Sequence, residues 1–235
     1  MKKVLIIGGN SDIGFSLGCL FVKSDFKLIL ASKNLVELQI KKEIIQKNFN
    51  NNCDIYKFDV ENDDIIDLLN KINDKIDILI FSNGYFEKPE INPIKIMNIN
   101  YLSIVKICEK LILSDKINFL KKIIILSSVA GDRGKKNNLI YSSAKAGLTS
   151  YANGLNQFLH KKKIHVMNVK IGWVKTKMTA NLKLPSFLCS EKEKVAEKIF
   201  KSYLKNYTNL YVPAYWSVIM FIYKLIPNFF FKILK

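Results

Sequence analysis

Arginine is all but missing from this chain. Among its 37 basic side chains Arg133 is the only arginine, although 235 residues carry a formal charge of +17. Surfaces that read nucleic acid lean on the planar guanidinium fork and on cations gathered in patches. Here the lysines are scattered, so nucleic acid is not expected as a partner, and the Lys, Asn and Ile abundance reads as a compositional bias. Histidine is nearly as scarce: His160 and His165 are the only two, and Cys19, Cys53, Cys108 and Cys189 show no paired spacing. Neither a metal site nor a disulfide frame is expected, which suits a reducing compartment. No Pro-rich or Gly/Ser-rich linker and no internal repeat divides the chain. Long apolar runs are lacking too. Spanning a bilayer takes about 20 uninterrupted apolar residues, and the most apolar stretch is broken by Lys224 and Pro227-Asn228. Met1 to Ile7 is too short an apolar run for a signal peptide.

What is present suffices for one full core, since 49% of the residues are hydrophobic. The apolar runs Ile76 to Phe81, Ile123 to Leu126 and Ile164 to Val169 lack strict alternation, as strands covered on both faces do. Helical patterns near Leu35 to Lys47, Asp63 to Ile72, Pro93 to Leu113 and Leu139 to Leu159 lie between them. This β-α alternation predicts a single α/β domain with a doubly wound, Rossmann-like parallel sheet over residues 1–211, followed by a C-terminal apolar tail over 212–235. Ser190 and Glu193 have the spacing of a capping box at the start of another helix.

Chemistry concentrates in YSSAKAG. Tyr141 and Lys145 stand four residues apart, on one face of a helix, and thirteen residues after Ser128. A tyrosine hydroxyl, with an unperturbed pKa of about 10, is a poor acid-base group near neutrality unless a fixed cation stabilises its phenolate. Lys145 is placed to supply that charge. Ser128 follows the apolar run Lys121 to Ser127, which reads as a buried strand, and side chains at strand C-termini of an open α/β sheet face the ligand crevice. Ser128 is thus expected to hydrogen-bond a substrate carbonyl beside Tyr141.

At the other end of the chain the short strand Lys2 to Ile7 runs into GGNSDIG and then an amphipathic helix. Strand, glycine turn and helix make dinucleotide geometry: Gly8 and Gly14 permit close backbone approach, and the helix start offers free N–H groups to a pyrophosphate. Asn10, Ser11, Asp12 and Ile13 complete the loop.

In this order the motifs resemble those of the short-chain dehydrogenase/reductase family, from Lys2 to about Tyr211. The resemblance implies hydride transfer with a nicotinamide cofactor. It implies that Ser128 orients the carbonyl, that Tyr141 gives or takes the proton and that Lys145 lowers the tyrosine pKa while holding the nicotinamide ribose. Asn100, in MNINYLS, matches the asparagine that holds a water linking the lysine to solvent. Asp59-Val60 sits where the family contacts adenine, Asn83-Gly84 resembles its turn after the fourth strand, and Gly172, Val174 and Thr176 resemble the segment that holds the nicotinamide carboxamide. Two positions depart from the pattern: Asp12 stands in place of a glycine and Ile171 in place of a proline. Asp12 is expected to cap the helix through its first N–H groups, and its charge near a pyrophosphate is repulsive unless it turns away.

Cofactor choice rests on Ser32-Lys33-Asn34, after the second strand at Lys27 to Ala31. An NAD enzyme normally places an acid there for the ribose 2′-hydroxyl, and none is present. Ser32 and Lys33 therefore favour NADP(H) over NAD(H), unless Lys33 is merely one more solvated lysine.

The tail contains Tyr215, Trp216, Tyr223 and Phe229 to Phe231, interrupted by Lys224, Lys232 and Lys235. Such residues settle at a membrane interface with lysines reaching toward head groups; the other reading is an apolar contact in a homo-oligomer. The SDI form of the glycine loop, KTKMTANLKLP and VPAYW…LIP also resemble bacterial reductases of the decaprenylphosphoryl 2-keto-pentose 2-reductase type. That resemblance implies reduction of a polyprenyl-phosphate-linked keto-sugar, made by a separate flavoprotein oxidase, in cell-envelope or surface-glycan biosynthesis on the cytoplasmic face of the membrane. The alternatives are a soluble reductase of a small ketone or 3-oxoacyl thioester and, more remotely, a non-catalytic nucleotide-binding scaffold.

Overall fold

Val4, Leu5, Ile6 and Ile7 are all fully buried, which a strand achieves only when both faces of its sheet are covered. In the computed structural model, which describes residues 1–51 and 53–232, these residues form β1 (Lys3–Ile7). Then follow α1 (Asp12–Lys23), β2 (Lys27–Ser32), α2 (Leu35–Phe49), β3 (Cys53–Lys57), α3 (Ile65–Ile72), β4 (Ile78–Phe81), α4 (Pro93–Met97) and α5 (Ser103–Ile112). The second half comprises β5 (Lys122–Ser128), α6 (Leu139–Leu159), β6 (His165–Ile171), the short β7 (Val174–Lys175) and β8 (Ser190–Glu191), α7 (Lys192–Leu204), β9 (Asn209–Val212), α8 (Tyr215–Leu225) and α9 (Asn228–Phe231).

Seven parallel strands lie in the order β3-β2-β1-β4-β5-β6-β9. The order reverses between β1 and β4, and the crevice outside strand C-termini at such a point is where α/β sheets bind ligands. Phe21, Leu38 and Ile199 belong to the apolar layer on one face of the sheet, beneath α1, α2 and α7. Leu68, Ile104 and Leu148 belong to the other, beneath α3, α5 and α6.

The doubly wound parallel sheet is as the alternation predicts, and α6 has the expected bounds. Two edge strands, β3 and β9, were not legible, because edges are half-covered: β3 has one buried residue of five and β9 two of four. The helix expected over Pro93 to Leu113 forms as α4 and α5, joined without a gap by a π-helical turn, Asn98–Leu102. The capping box of Ser190 and Glu193 does not form. Ser190 pairs with Val174 as β8 instead, its N–H on the Trp173 carbonyl, and α7 starts after Glu191 without a side-chain cap. The boundary expected after Tyr211 falls inside β9, and α8 then packs back on the body through the buried Trp216 and Met220. Among the described residues no helix is long and apolar enough to cross a membrane. Lys235, expected to reach toward head groups, lies outside the described residues.

Candidate active site

Ser128 is the last residue of β5, and its Oγ accepts the Ala130 N–H at 3.1 Å and donates to the Ile171 carbonyl at 3.3 Å. Ile171, where the family pattern has proline, closes β6 alongside it. Tyr141 and Lys145 come from the first turns of α6, with the Lys145 Nζ 5.8 Å from the centre of the tyrosine ring. Ser127, one residue before Ser128, fastens this helix to the sheet through the Lys145 carbonyl at 3.2 Å and the Thr149 hydroxyl at 2.9 Å. The Lys145 side chain is buried and donates to the Leu126 carbonyl at 3.2 Å.

Burial pushes the Lys145 ammonium down to about 8. It pushes the Tyr141 hydroxyl up to about 12, against the opposing effect of a hydrogen bond with Ser128. Burial outweighs the Ser128 hydrogen bond, so the Tyr141 hydroxyl keeps its proton near neutrality.

Asn100 sits fully buried within the π-turn, an irregularity frequent at functional sites. Its amide donates to the carbonyls of Tyr85 (2.6 Å) and Ile96 (2.9 Å), and its oxygen accepts the Tyr85 N–H at 3.2 Å. Both amide hydrogens are thus committed to backbone. Asn100 secures the loop after β4, and one lone pair of its oxygen remains for the expected water.

The glycine loop lies against the end of β4. Gly8 has φ +80°, and a Cβ there would stand 2.4 Å from the Asn83 nitrogen; at Gly14 it would stand 2.3 Å from the Ser82 Oγ. Asn83 in turn donates to the Ile99 carbonyl at 2.7 Å, bringing Asn83-Gly84 under the loop. Ser11 caps α1 by accepting the Gly14 N–H at 3.3 Å, and Ile13 packs into the apolar layer below. Asn10 donates to the Asn34 carbonyl at 2.8 Å. The oxygens of Asn10, Ser82 and Asn83 are buried without a hydrogen-bond partner. Buried polar atoms are normally satisfied, so this cluster of orphaned acceptors beside a helix N-terminus fits a dinucleotide.

Asp12 does not cap α1. Its Oδ2 accepts the Lys177 N–H at 2.8 Å and its Oδ1 lies 3.6 Å from the Lys192 Nζ, so the carboxylate turns away from the helix axis. At the end of β2, beside Ser32, Lys33 forms an ion pair of 2.8 Å with Asp59. Burial raises the Asp59 pKa, but hydrogen bonds from Lys33, the Glu61 N–H and Asn62 outweigh it and hold the carboxyl below its ordinary range. The two residues expected at the 2′-phosphate and, with Val60, at adenine therefore touch each other. Val174 is buried in β7, and Thr176 is the residue just before a single 3-10 turn. Gly172 abuts the tail: a Cβ there would stand 1.9 Å from the Trp216 Nε1.

The profile of the short chain dehydrogenase family matches residues 2–185. The chain belongs to that family. It is an NAD(P)-dependent oxidoreductase. Over 214 residues it is 26% identical to carbonyl reductase family member 4 of Xenopus laevis, covering 85% of this chain and 90% of that protein. It is 24% identical over 192 residues to the 3-oxoacyl-acyl-carrier-protein reductase of Chlamydia trachomatis, covering 77% of each. Its fold superposes on a short-chain dehydrogenase from Sphingobium yanoikuyae in complex with NADPH, with a TM-score of 0.76, 18% identity and 97% of both chains covered.

Several residues around this short chain dehydrogenase site had no readable signal. Glu90 bonds the start of α6, and Phe86 meets the Tyr141 ring edge-on at 5.1 Å. Asp132 joins Lys170 in an ion pair and accepts the Tyr211 hydroxyl at 2.7 Å. Arg133 reaches the tail, donating to the carbonyls of Tyr223 (2.6 Å) and Ile226 (2.7 Å) and to the Asn228 side chain (3.0 Å), with its guanidinium 3.8 Å from the centre of the Phe231 ring. Asp132 meets its partners only because the fold sets Lys170 of β6 beside Tyr211 of β9.

Proposed function

We propose that this protein is an NADPH-dependent ketoreductase that acts on a lipid-linked keto-sugar at a membrane surface. Hydride transfer to the carbonyl carbon is the chemistry a nicotinamide supplies when bound. The chain's own residues do the rest. Ser128 hydrogen-bonds the carbonyl oxygen and fixes its position beside Tyr141. As charge grows on that oxygen, the protonated Tyr141 hydroxyl donates its proton and the Lys145 ammonium stabilises the phenolate left behind. Reprotonation runs past Lys145 toward solvent, with Asn100 holding the adjoining loop and a relay water. Asn10, Ser11, Ile13 and the α1 N-terminus would cradle the pyrophosphate, Ser32 and Lys33 a 2′-phosphate, Asp59-Val60 the adenine, Asn83-Gly84 the adjoining ribose side, and Gly172, Val174 and Thr176 the carboxamide.

The observation that carries the substrate class is the placing of α8. Its Trp216 and Met220 pack on Val129, next to Ser128, while Val218, Phe221, Ile222 and Leu225 on its other face are 58–65% exposed. An apolar face of this kind beside the catalytic serine would let a lipid stay in the bilayer while its sugar reaches Tyr141. No acidic residue follows Glu197, whereas Lys224 and Lys232 flank the face, which suits anionic lipid. A cytoplasmic-face location, a flavoprotein oxidase that supplies the keto-sugar, and a homo-oligomeric enzyme complete this reading.

A second reading is a soluble reductase of a small ketone or 3-oxoacyl thioester, with the apolar face closing an oligomer. The similarity to a carbonyl reductase and a 3-oxoacyl-acyl-carrier-protein reductase over most of the chain favours it. The two are separated by following NADPH oxidation with a polyprenyl-phosphate keto-sugar in anionic liposomes against soluble ketones and thioesters. Turnover of the soluble set alone would overturn the lipid reading.

A further inference from the structure

Asp12 breaks the family's glycine pattern, and its contacts give it a task. Its side chain is only 12% exposed, with Oδ2 on the Lys177 N–H at 2.8 Å and Oδ1 facing the Lys192 Nζ at 3.6 Å. Lys177 opens the single 3-10 turn Lys177–Thr179. Within that turn the Thr176 N–H donates to the Thr179 Oγ1 at 3.1 Å, and the Thr179 Oγ1 donates to the Val174 carbonyl at 2.5 Å. Lys177 also forms an ion pair with Glu37 of α2, and Met178 reaches over Gly84, where an added Cβ would stand 3.3 Å from its Cε. One carboxylate thus joins the first turn of α1, where a pyrophosphate would sit, to the segment Val174–Thr179, which would hold the nicotinamide.

We propose that Asp12 is a positioning residue that ties the Thr176 turn down over the dinucleotide site and slows cofactor release, an inference that rests on the reading of GGNSDIG as the pyrophosphate cradle. Two effects with opposite signs compete at this position. A carboxylate beside a pyrophosphate repels it, so its removal would tighten binding; a tether holds the turn in place, so its removal would loosen binding. The geometry favours the tether, because both oxygens already face a donor and the charge is compensated by Lys192. A glycine at this position has no side chain with which to make the link.

The test compares wild type with Asp12→Gly, Asp12→Asn and Lys192→Ala. NADPH dissociation is followed by fluorescence, and amide hydrogen exchange across residues 176–182 is measured on the protein alone. Asp12→Gly is expected to release NADPH about tenfold faster, the effect of one lost charge-assisted hydrogen bond, and to speed exchange at Lys177 by a similar factor. Asp12→Asn keeps an acceptor for the Lys177 N–H and stays within about threefold of wild type; Lys192→Ala, at an exposed side chain, falls between. Tighter NADPH binding in both the glycine and asparagine variants would mean that repulsion governs and would overturn the proposal. So would unchanged exchange at Lys177 in Asp12→Gly. Failure of the wild type to bind NADPH would sink the dinucleotide reading itself, while the exchange measurement still decides whether the tether exists.

Discussion

Glu90 holds the backbone of Tyr141: its Oε1 accepts the tyrosine N–H at 2.8 Å, while its Oε2 accepts the Ile140 N–H at 2.9 Å. Helix N-termini leave four N–H groups without partners, and Asn138 ahead of α6 makes no side-chain cap. A residue some fifty positions upstream therefore does the capping, and it fixes the turn that carries the Tyr141 hydroxyl. Glu90→Ala is expected to cost about 1 kcal/mol in urea unfolding and to lower kcat about tenfold, with little change in NADPH affinity. Glu90→Gln, which retains one acceptor, should recover most of the rate. An unchanged kcat in Glu90→Ala would show that Tyr141 is positioned without it.

Tyr141→Phe removes one oxygen and leaves the ring, including its edge-on contact with Phe86 at 5.1 Å. General acid catalysis contributes about 10²–10⁴-fold, so turnover of any accepted ketone should fall by that range while NADPH binding, read by fluorescence, persists. Normal turnover in this variant would remove Tyr141 from the mechanism.

Lys145 sets a pH dependence whose sign can be worked out. Burial lowers its pKa to about 8, so the folded protein holds the ammonium below that pH and loses it above; an unfolded chain keeps the proton to about 10.4. The kcat/KM for reduction should therefore be level below pH 8 and fall above it. Stability should move the other way between about 8 and 10, because there the unfolded chain binds the extra proton. Tyr141, pushed up to about 12, stays protonated throughout. A Lys145→Arg variant remains charged over this range and, whatever its absolute rate, should lack the alkaline limb; a limb that persists would belong to another group.

These residues also mark how far the sequence could be read. The placing of Ser128 at a strand end and of Tyr141 and Lys145 on one helix was legible because both are local properties. Gly8 and Gly14 were legible because a glycine turn between strand and helix has few other uses. Glu90 and Asp132 were not, since each works through a partner brought close only by the fold: Glu90 by the loop after β4, Asp132 by β6 and β9 lying side by side. Asp12 was visible as an exception, yet the direction of its carboxylate depends on Lys177, 165 residues away. Lys33 reads as a free cation in the sequence and as the partner of Asp59 in the fold.

The tail raises the remaining test, and its packing dictates how to make it. Removing Tyr215 onward would strip Trp216 from Gly172 and Met220 from Val129, and would leave Arg133 without the carbonyls of Tyr223 and Ile226 that it satisfies at the end of α8. A deletion would thus disturb the turn after Ser128 and confuse loss of attachment with loss of the site. Phe221→Glu with Ile222→Glu alters only exposed positions of the outer face. If this face meets anionic lipid, the double variant should lose sedimentation with phosphatidylserine-containing liposomes, each buried apolar side chain being worth about 1.5–3 kcal/mol, while its melting temperature and reduction of any soluble ketone stay near wild type. If the face instead joins two copies of the chain, the variant should shift to a smaller species in sedimentation velocity, with liposome binding carried unchanged by the lysines of the body.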